Sequence, residues 1–428
     1  MRKQALPYMI RLIRNADGER LPALIDRTTG LPEFDASLWV VSSLRTRNLA
    51  SESIAQALRS LVVLYIALRT CKVNLTERLG TGHFLSPGDI AEILKQCGQT
   101  VERSVEACEG GLDTADRITK KITSLEKLRM VQAMHPKGGV VGSGTASIRL
   151  GYIREFLRWR ANKAIARTRG DAKQSLMTLR NLVDDELRLN TPAGTGRATV
   201  QQRKGIDRES QERLLGILSP TSQKNPWTGN RMRVRNQFIV NAFLALGIRR
   251  GEFLGLRVGD FNQLSQEVLI LRRPDDANDP RLDEPNAKTR DRVLPVSYGL
   301  HALMKEYLML RHELVRGRHD FLIVANSGEP MCKSEINRIF NVLSKGLTEN
   351  VTPHTLRHTF FENLADDLHR AGKGDVEIAN ILTVLGGWSP ASNSPTRYTT
   401  RFAQERANIA ALALQQKLYI HDRPGRPS

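Results

Sequence analysis

Cysteine is scarce in this chain of 428 residues: Cys71, Cys97, Cys108 and Cys332 are the whole complement. They form no Cys-x-x-Cys pair and no metal-ligand spacing. A disulfide framework is therefore set aside, and the four read as small, buried or half-buried side chains. No apolar run comes near the roughly 18–20 residues that span a bilayer. The best, Phe238 to Ile248, is broken by Asn241. The opening stretch MRKQALPYMIRLIRN regains charge too soon for a secretory apolar region. A cytoplasmic protein without a membrane partner is expected. The Gly-x-x-x-x-Gly-Lys-Ser/Thr phosphate loop is missing too, and the glycines at 138–144 follow no clear strand. No internal repeat of roughly 20–50 residues is visible.

Acidic residues are in deficit, with 45 Asp and Glu against 64 Lys and Arg, a net charge of +19. A folded protein with that excess is drawn to a polyanion, and nucleic acid leads. A solvated basic surface or a ribosome-associated protein are the plainer readings. A membrane surface fits less well, because the basic residues are spread along the chain instead of flanking one amphipathic anchor. Hydrophobic residues at 40% and charged residues at 25% fit a folded protein with a sizeable core. The length suggests about two or three domains.

Residues 1–35 are turn-rich and form an extension, a small hairpin or an arm. Residues 36–170 read as a helical domain. Ser51 to Cys71 carries Ile54, Leu58, Leu61, Val62, Tyr65 and Ile66 near helical spacing. Ser86-Pro87 opens another helix. Ala146 to Lys163 has an apolar stripe of Ile148, Tyr152, Ile153, Phe156, Leu157 and Trp159. Arg149, Arg154, Arg158, Arg160 and Lys163 decorate the rest, either as a solvated face or as a face for phosphates. Residues 171–205 turn polar and end in a Gly/Thr-rich run, which suggests a linker or an extended strap. Residues 206–418 form a second domain, with strands at Gln266 to Leu271 and Arg292 to Val296 among helices. Residues 419–428 read as a frayed tail.

Three segments carry side chains suited to phosphate chemistry. Thr352 is a good N-cap and Pro353 suits the first helical position, so a helix is expected there. His354 and Arg357 then share one face of its first turn. An imidazole and a guanidinium at a helix N-terminus make a phosphate site, though a capped helix with one surface Arg is the plainer alternative. His354 and His358 also have the spacing of a zinc pair, but no Glu follows His354 and no further ligand cluster lies nearby, so no metal is expected. A second helix stops at Gly247, which places Arg249 at a junction, with Glu252 three residues on. The guanidinium there is pre-aimed for phosphate, or simply caps a helix end. Finally, a helix ends at Gly386-Gly387, and a short loop leads through Trp388 to Tyr398. Tyrosine can pack, or it can act as a covalent nucleophile.

These pieces, in this order, resemble the tyrosine recombinase (phage integrase) family over about residues 206–418. The matching residues are Gly247-Ile248-Arg249 with Glu252, the His354 to Arg357 box, and Leu385-Gly386 to Tyr398. A fourth motif, Lys288-Thr289-Arg290-Asp291-Arg292 before Val293-Leu294-Pro295, resembles the family's β-hairpin lysine. The His that usually follows Leu-Gly is replaced. Gly387 comes next, and Trp388 is aligned with that position. The loop before Lys288 is long and acidic.

The resemblance implies a mainly α fold with a small β-sheet: an N-terminal helical core-binding domain and a mixed α/β catalytic domain. It implies a site-specific recombinase that cuts and rejoins double-stranded DNA through a 3′-phosphotyrosyl bond, without metal, nucleotide or other cofactor. Tyr398 would attack the phosphate. Arg249 and Arg357 would hold its oxygens, His354 would assist proton transfer, Lys288 would protonate the leaving 5′-oxygen, and Trp388 would pack beside the phosphate. Glu252 would orient a catalytic neighbour. Self-association into a tetramer on DNA in the cytoplasm, at the nucleoid, follows from the same resemblance. A type IB topoisomerase-like enzyme and a non-catalytic DNA-binding protein remain the alternatives. The segment from Phe402 to Leu418, apolar at Ile409, Ala410, Leu412, Leu414 and Leu418, discriminates the recombinase from the topoisomerase: it docks on a neighbouring protomer or packs within its own chain.

Overall fold

The computed structural model describes residues 7–103, 105, 139–192, 205–283, 290–347 and 349–420, apart from the side chains of 401 and 417–420. Lys288, Cys108, Gly138, residues 193–204 of the expected linker and residues 421–428 lie outside that description. The chain is mainly α-helical with two small antiparallel sheets. It divides into two units, Met1–Ala198 and Thr199–Ser428.

In the first unit, strands Tyr8–Arg14 and Arg20–Asp26 form a hairpin in which Leu12 faces Pro22. Gly18, at φ 92°, supplies the left-handed step that closes its turn. The Ser51–Thr70 helix is the centre of the unit, burying Ile54, Leu58, Leu61 and Ile66. This helix corrects one expectation. It is long and apolar enough to cross a membrane by length and composition, with mean hydropathy 1.3, and 67% of that window is buried within the protein. Its apolar positions follow the packing of a core helix on most of its faces, which an unbroken-run test passes over.

Ser86 caps the Pro87–Cys97 helix in a capping box with Asp89. In the Ser143–Arg167 helix, Ile153, Phe156, Leu157 and Ala161 are buried. Three of its cations face protein groups. Arg149 donates to the Gln99 carbonyl at 2.5 Å, Arg160 pairs with Asp35 at 2.6 Å, and Arg154 pairs with Asp184 at 3.1 Å. Arg158 is exposed. A broad phosphate-binding face on this helix is therefore reduced, because neighbouring elements cover two of its sides. One of them is the Asp171–Leu189 helix, which buries Leu176, Val183 and Leu187. The expectation of a linker beginning at 171 is corrected accordingly.

The second unit is built on the Asn230–Leu246 helix, which buries Phe238, Ile239, Phe243 and Leu246. Beside it, strands Phe261–Asn262, Glu267–Ile270 and Arg292–Pro295 form a three-stranded antiparallel sheet, pairing Val268 with Leu294 and Ile270 with Arg292. Within the acidic stretch between the last two strands, Arg281 pairs with Asp279 at 2.7 Å, and Arg257 ties Asp276 of the stretch to Asp320 beyond it. Helices Tyr298–Val315, Lys333–Lys345, Pro353–Arg370, Asp375–Gly386 and Thr396–Ile420 complete the unit. Thr352 caps the Pro353–Arg370 helix by accepting from the Thr355 amide at 3.0 Å, as its sequence requires. The final helix runs through Ile420, so the expected tail does not begin at 419. Every residue from 403 to 416 on it is exposed, which removes the reading of this helix as intramolecular core.

Candidate active site

Two helix ends hold the arginines. The Asn230–Leu246 helix stops at Gly247, at φ 58°, and a Cβ there would lie 2.2 Å from the Phe360 ring. Only glycine satisfies both the backbone turn and the close approach. Arg249 follows as the N-cap of Arg250–Gly255. Its amide donates to Glu252 Oε2 at 2.9 Å, and its Nη1 to Glu252 Oε1 at 3.2 Å. The Glu252 side chain is fully buried and also receives Arg292 Nη2 at 2.8 Å. Arg292 opens the third strand and donates its Nε to the Leu385 carbonyl at 2.8 Å.

Arg357 lies one turn into the Pro353–Arg370 helix and is 4% exposed. It donates to the Gly247 carbonyl at 2.5 Å and to the Gly386 carbonyl at 3.0 Å. Arg249 reaches the same Gly386 carbonyl at 3.4 Å. Both acceptors stand at helix C-termini, where unpaired carbonyls carry partial negative charge. Burial first, and then the neighbouring Arg249, push the Arg357 guanidinium down to about 9, so it is still charged at neutral pH. An anion entering here would relieve both effects. The Arg357 guanidinium also lies 4.8 Å from the ring centres of Phe361 and Trp388.

Tyr398 packs against the same ring pair. The Asp375–Gly386 helix ends in left-handed Gly387, and the Trp388 amide turns back to the Thr383 carbonyl at 3.1 Å. The indole covers Gly386, where a Cβ would fall 2.3 Å from the ring, and packs on Phe361 at 4.7 Å. After a short loop, Tyr398 enters the first turn of the last helix. Its ring lies 5.6 Å from Phe361 and 6.2 Å from Trp388. Burial pushes its hydroxyl up to about 12, with Arg357 pulling the other way. The hydroxyl is 2.9 Å from His358 Nδ1, and His358 Nε2 is 3.1 Å from His354 Nε2.

The structure thus brings Arg249, Arg357, Trp388 and Tyr398 to one place. His354 is set one step back, because the Tyr398 hydroxyl meets His358. The imidazoles that have zinc-pair spacing bond to each other, and among the described residues no group of three His, Cys, Asp or Glu is arranged to hold a metal ion. Two contributors escape the motif reading. His358 has a visible signal: His354, Arg357, His358 and Phe361 fall at i, i+3, i+4 and i+7, one face of a helix. Arg292 stands in the Lys288 motif, but its pairing with Glu252 joins residues 40 positions apart. A phenol, imidazoles, a buried guanidinium and a half-buried one can together bind a phosphoryl group and attack it.

Known proteins resemble the part of the chain that holds these residues. Residues 208–402 match the profile of the phage integrase family. A tyrosine recombinase of Agathobacter rectalis is 26% identical over 160 residues, which is 36% of this chain and 45% of that protein. Tyrosine recombinase XerC of Listeria welshimeri serovar 6b is 26% identical over 179 residues, 41% of this chain and 52% of that protein. The chain spans about half the length of these curated relatives. The solved XerH site-specific recombinase, bound to a palindromic difH substrate after cleavage, is 17% identical with a TM-score of 0.43, covering 82% of this chain and 96% of that one.

Proposed function

Because residues 208–402 belong to the phage integrase family, we propose that this protein is a site-specific DNA recombinase that cuts and rejoins strands through Tyr398. The observation that carries the reading is the convergence of Arg249 and Arg357 on the Gly386 carbonyl, with Tyr398 packed against the same Trp388–Phe361 ring pair as Arg357. Double-stranded DNA is the substrate, in keeping with a net charge of +19.

Tyr398 Oη attacks the scissile phosphate and replaces the 5′-oxygen, leaving a 3′-phosphotyrosyl bond. Arg249 and Arg357 bind the non-bridging oxygens and stabilise the charge that builds during attack. Glu252 fixes Arg249 and Arg292. Trp388 shields the phosphate site from solvent. Lys288 protonates the leaving oxygen, and the histidine pair serves the nucleophile. The phosphodiester energy is kept in the covalent bond, so no nucleotide is consumed.

Assembly as a tetramer on DNA is supported by the last helix. Ile409, Leu412 and Leu414 on it are all more than half exposed, and Ile409 and Leu412, three residues apart, share a side suited to a second protomer. The same exposure favours an assembled recombinase over a topoisomerase working as a monomer. Deleting 403–428 should leave the fold and single-site binding intact while abolishing joint complexes. The cell cytoplasm, at the nucleoid, is where such a substrate lies. The test is direct. Nicked duplexes made from DNA beside the coding region should give an adduct that resists SDS, and paired sites should exchange strands. Tight DNA binding with neither adduct nor exchange would leave only the non-catalytic reading.

A further inference from the structure

The Tyr398 hydroxyl and two imidazoles stand in a row. Oη is 2.9 Å from His358 Nδ1, and His358 Nε2 is 3.1 Å from His354 Nε2. The two rings meet edge to face, with centres 4.5 Å apart and planes at 79°. Exposure grows along the row: Tyr398 is buried, His358 half-buried and His354 exposed. Two neutral imidazoles joined through Nε2 atoms need a proton on one of them and a bare nitrogen on the other. The row can then run either way. Only one direction, with Tyr398 donating to His358 and His358 to His354, removes the proton that an attacking phenol must shed.

We propose that His358 is the base that takes the Tyr398 proton during strand cleavage, and that His354 is the next carrier, which hands it to solvent. This inference rests on the strand-cleaving reading above. The step balances. As the Oη–phosphorus bond forms and the phosphorus–O5′ bond breaks, the hydroxyl proton moves to His358 Nδ1. The His358 Nε2 proton moves to His354 Nε2, and His354 releases its Nδ1 proton to water. The leaving 5′-oxygen takes up one proton from an ammonium group or water. Religation runs the row backwards. The order matters, because the first histidine of the box is the one that motif reading singles out, whereas the hydroxyl's contact is with the second.

The experiment uses the full chain and a pool of nicked duplexes with a randomised central segment. Wild-type protein captures covalently the sequences it cleaves, and these serve for single-turnover rates. His358→Asn keeps an acceptor near the Nδ1 position but cannot carry a proton. It should bind the captured duplexes normally and form adduct about 10²–10⁴-fold more slowly. His358→Gly should regain adduct formation when imidazole is added. His354→Asn should lose only about tenfold, since water can replace the outer carrier. Wild-type rates in His358→Asn, or a loss confined to His354→Asn, would overturn the assignment. A wild-type protein that forms no adduct with the pool would instead sink the strand-cleaving reading itself. Ring ¹⁵N shifts of the unaltered protein give an independent check that needs no variant to fold. A bare, hydrogen-bonded Nδ1 and a protonated Nε2 on His358 are expected, and the opposite tautomer overturns the proposal.

Discussion

The charge-holding half and the attacking half of the site rest on different cores. Arg249 and Glu252 stand at the end of the Asn230–Leu246 helix, on the large apolar core of the second unit. Arg292 belongs to the sheet that packs on the same core. Tyr398 belongs to a separate, small cluster of Phe361, Ala365, Ile378, Leu382, Tyr398 and Phe402. The Pro353–Arg370 helix joins them, giving Leu356 to the large core and Phe361 to the small one. A small cluster opens at lower free energy than a large one. The guanidiniums are tied to both cores, through Glu252 and the Gly247 carbonyl on one side and the Leu385 and Gly386 carbonyls on the other, while Tyr398 rests on the small cluster alone.

The largest effect that sharpens this contrast is Tyr398→Phe. Ring packing in the small cluster stays and the hydroxyl goes, so adduct formation should vanish while DNA affinity holds. A gel of trapped complexes and a binding titration read both quantities. Next, Arg357→Lys should slow cleavage about 10²–10³-fold with little change in affinity, because a point charge cannot replace two fixed donors on a developing charge. Equal losses in binding and cleavage would make Arg357 a positioning contact instead.

Phe402→Ala tests the separation of the cores. Removing a buried Phe typically costs about 3–5 kcal/mol. Here the loss should appear as faster amide exchange over 396–402, with the 230–246 helix unchanged. If both regions loosen together, the two cores are one and the contrast fails. The smallest effect is alkaline. Tyr398 ionises near 12 when folded, against its ordinary value of 10, so the unfolded chain releases its proton first. The stability tied to the neutral phenol is whole below pH 10 and is lost as pH rises from 10 to 12. Denaturant titrations across that window should show a shallower fall for Tyr398→Phe than for the wild type.

Local chemistry made much of this legible. Thr352-Pro353 marks a helix start by capping alone, and alternation marks the strands at 267–270 and 292–295. Arg249, Arg357, Trp388 and Tyr398 could be picked out because their motifs are short and contiguous. The Asp171–Leu189 helix resembles a linker because its composition is mostly polar and a Gly/Thr-rich run follows it. Its helical period is nevertheless present, with Leu176, Leu179, Val183 and Leu187 at i, i+3, i+7 and i+11. The Tyr398–His358 and Arg292–Glu252 contacts each join residues 40 positions apart, so folding makes them and no local pattern announces them.

The central claim is that Tyr398 becomes covalently joined to DNA. The measurement that tests it most directly is mass spectrometry of the trapped complex after nuclease and trypsin digestion. Cleavage after Arg397 and Arg401 isolates Tyr398 in a four-residue peptide, Tyr398-Thr399-Thr400-Arg401. The account predicts that this peptide carries the mass of a nucleotide on its tyrosine. An unmodified Tyr398 peptide, with the nucleotide on another residue, would contradict it.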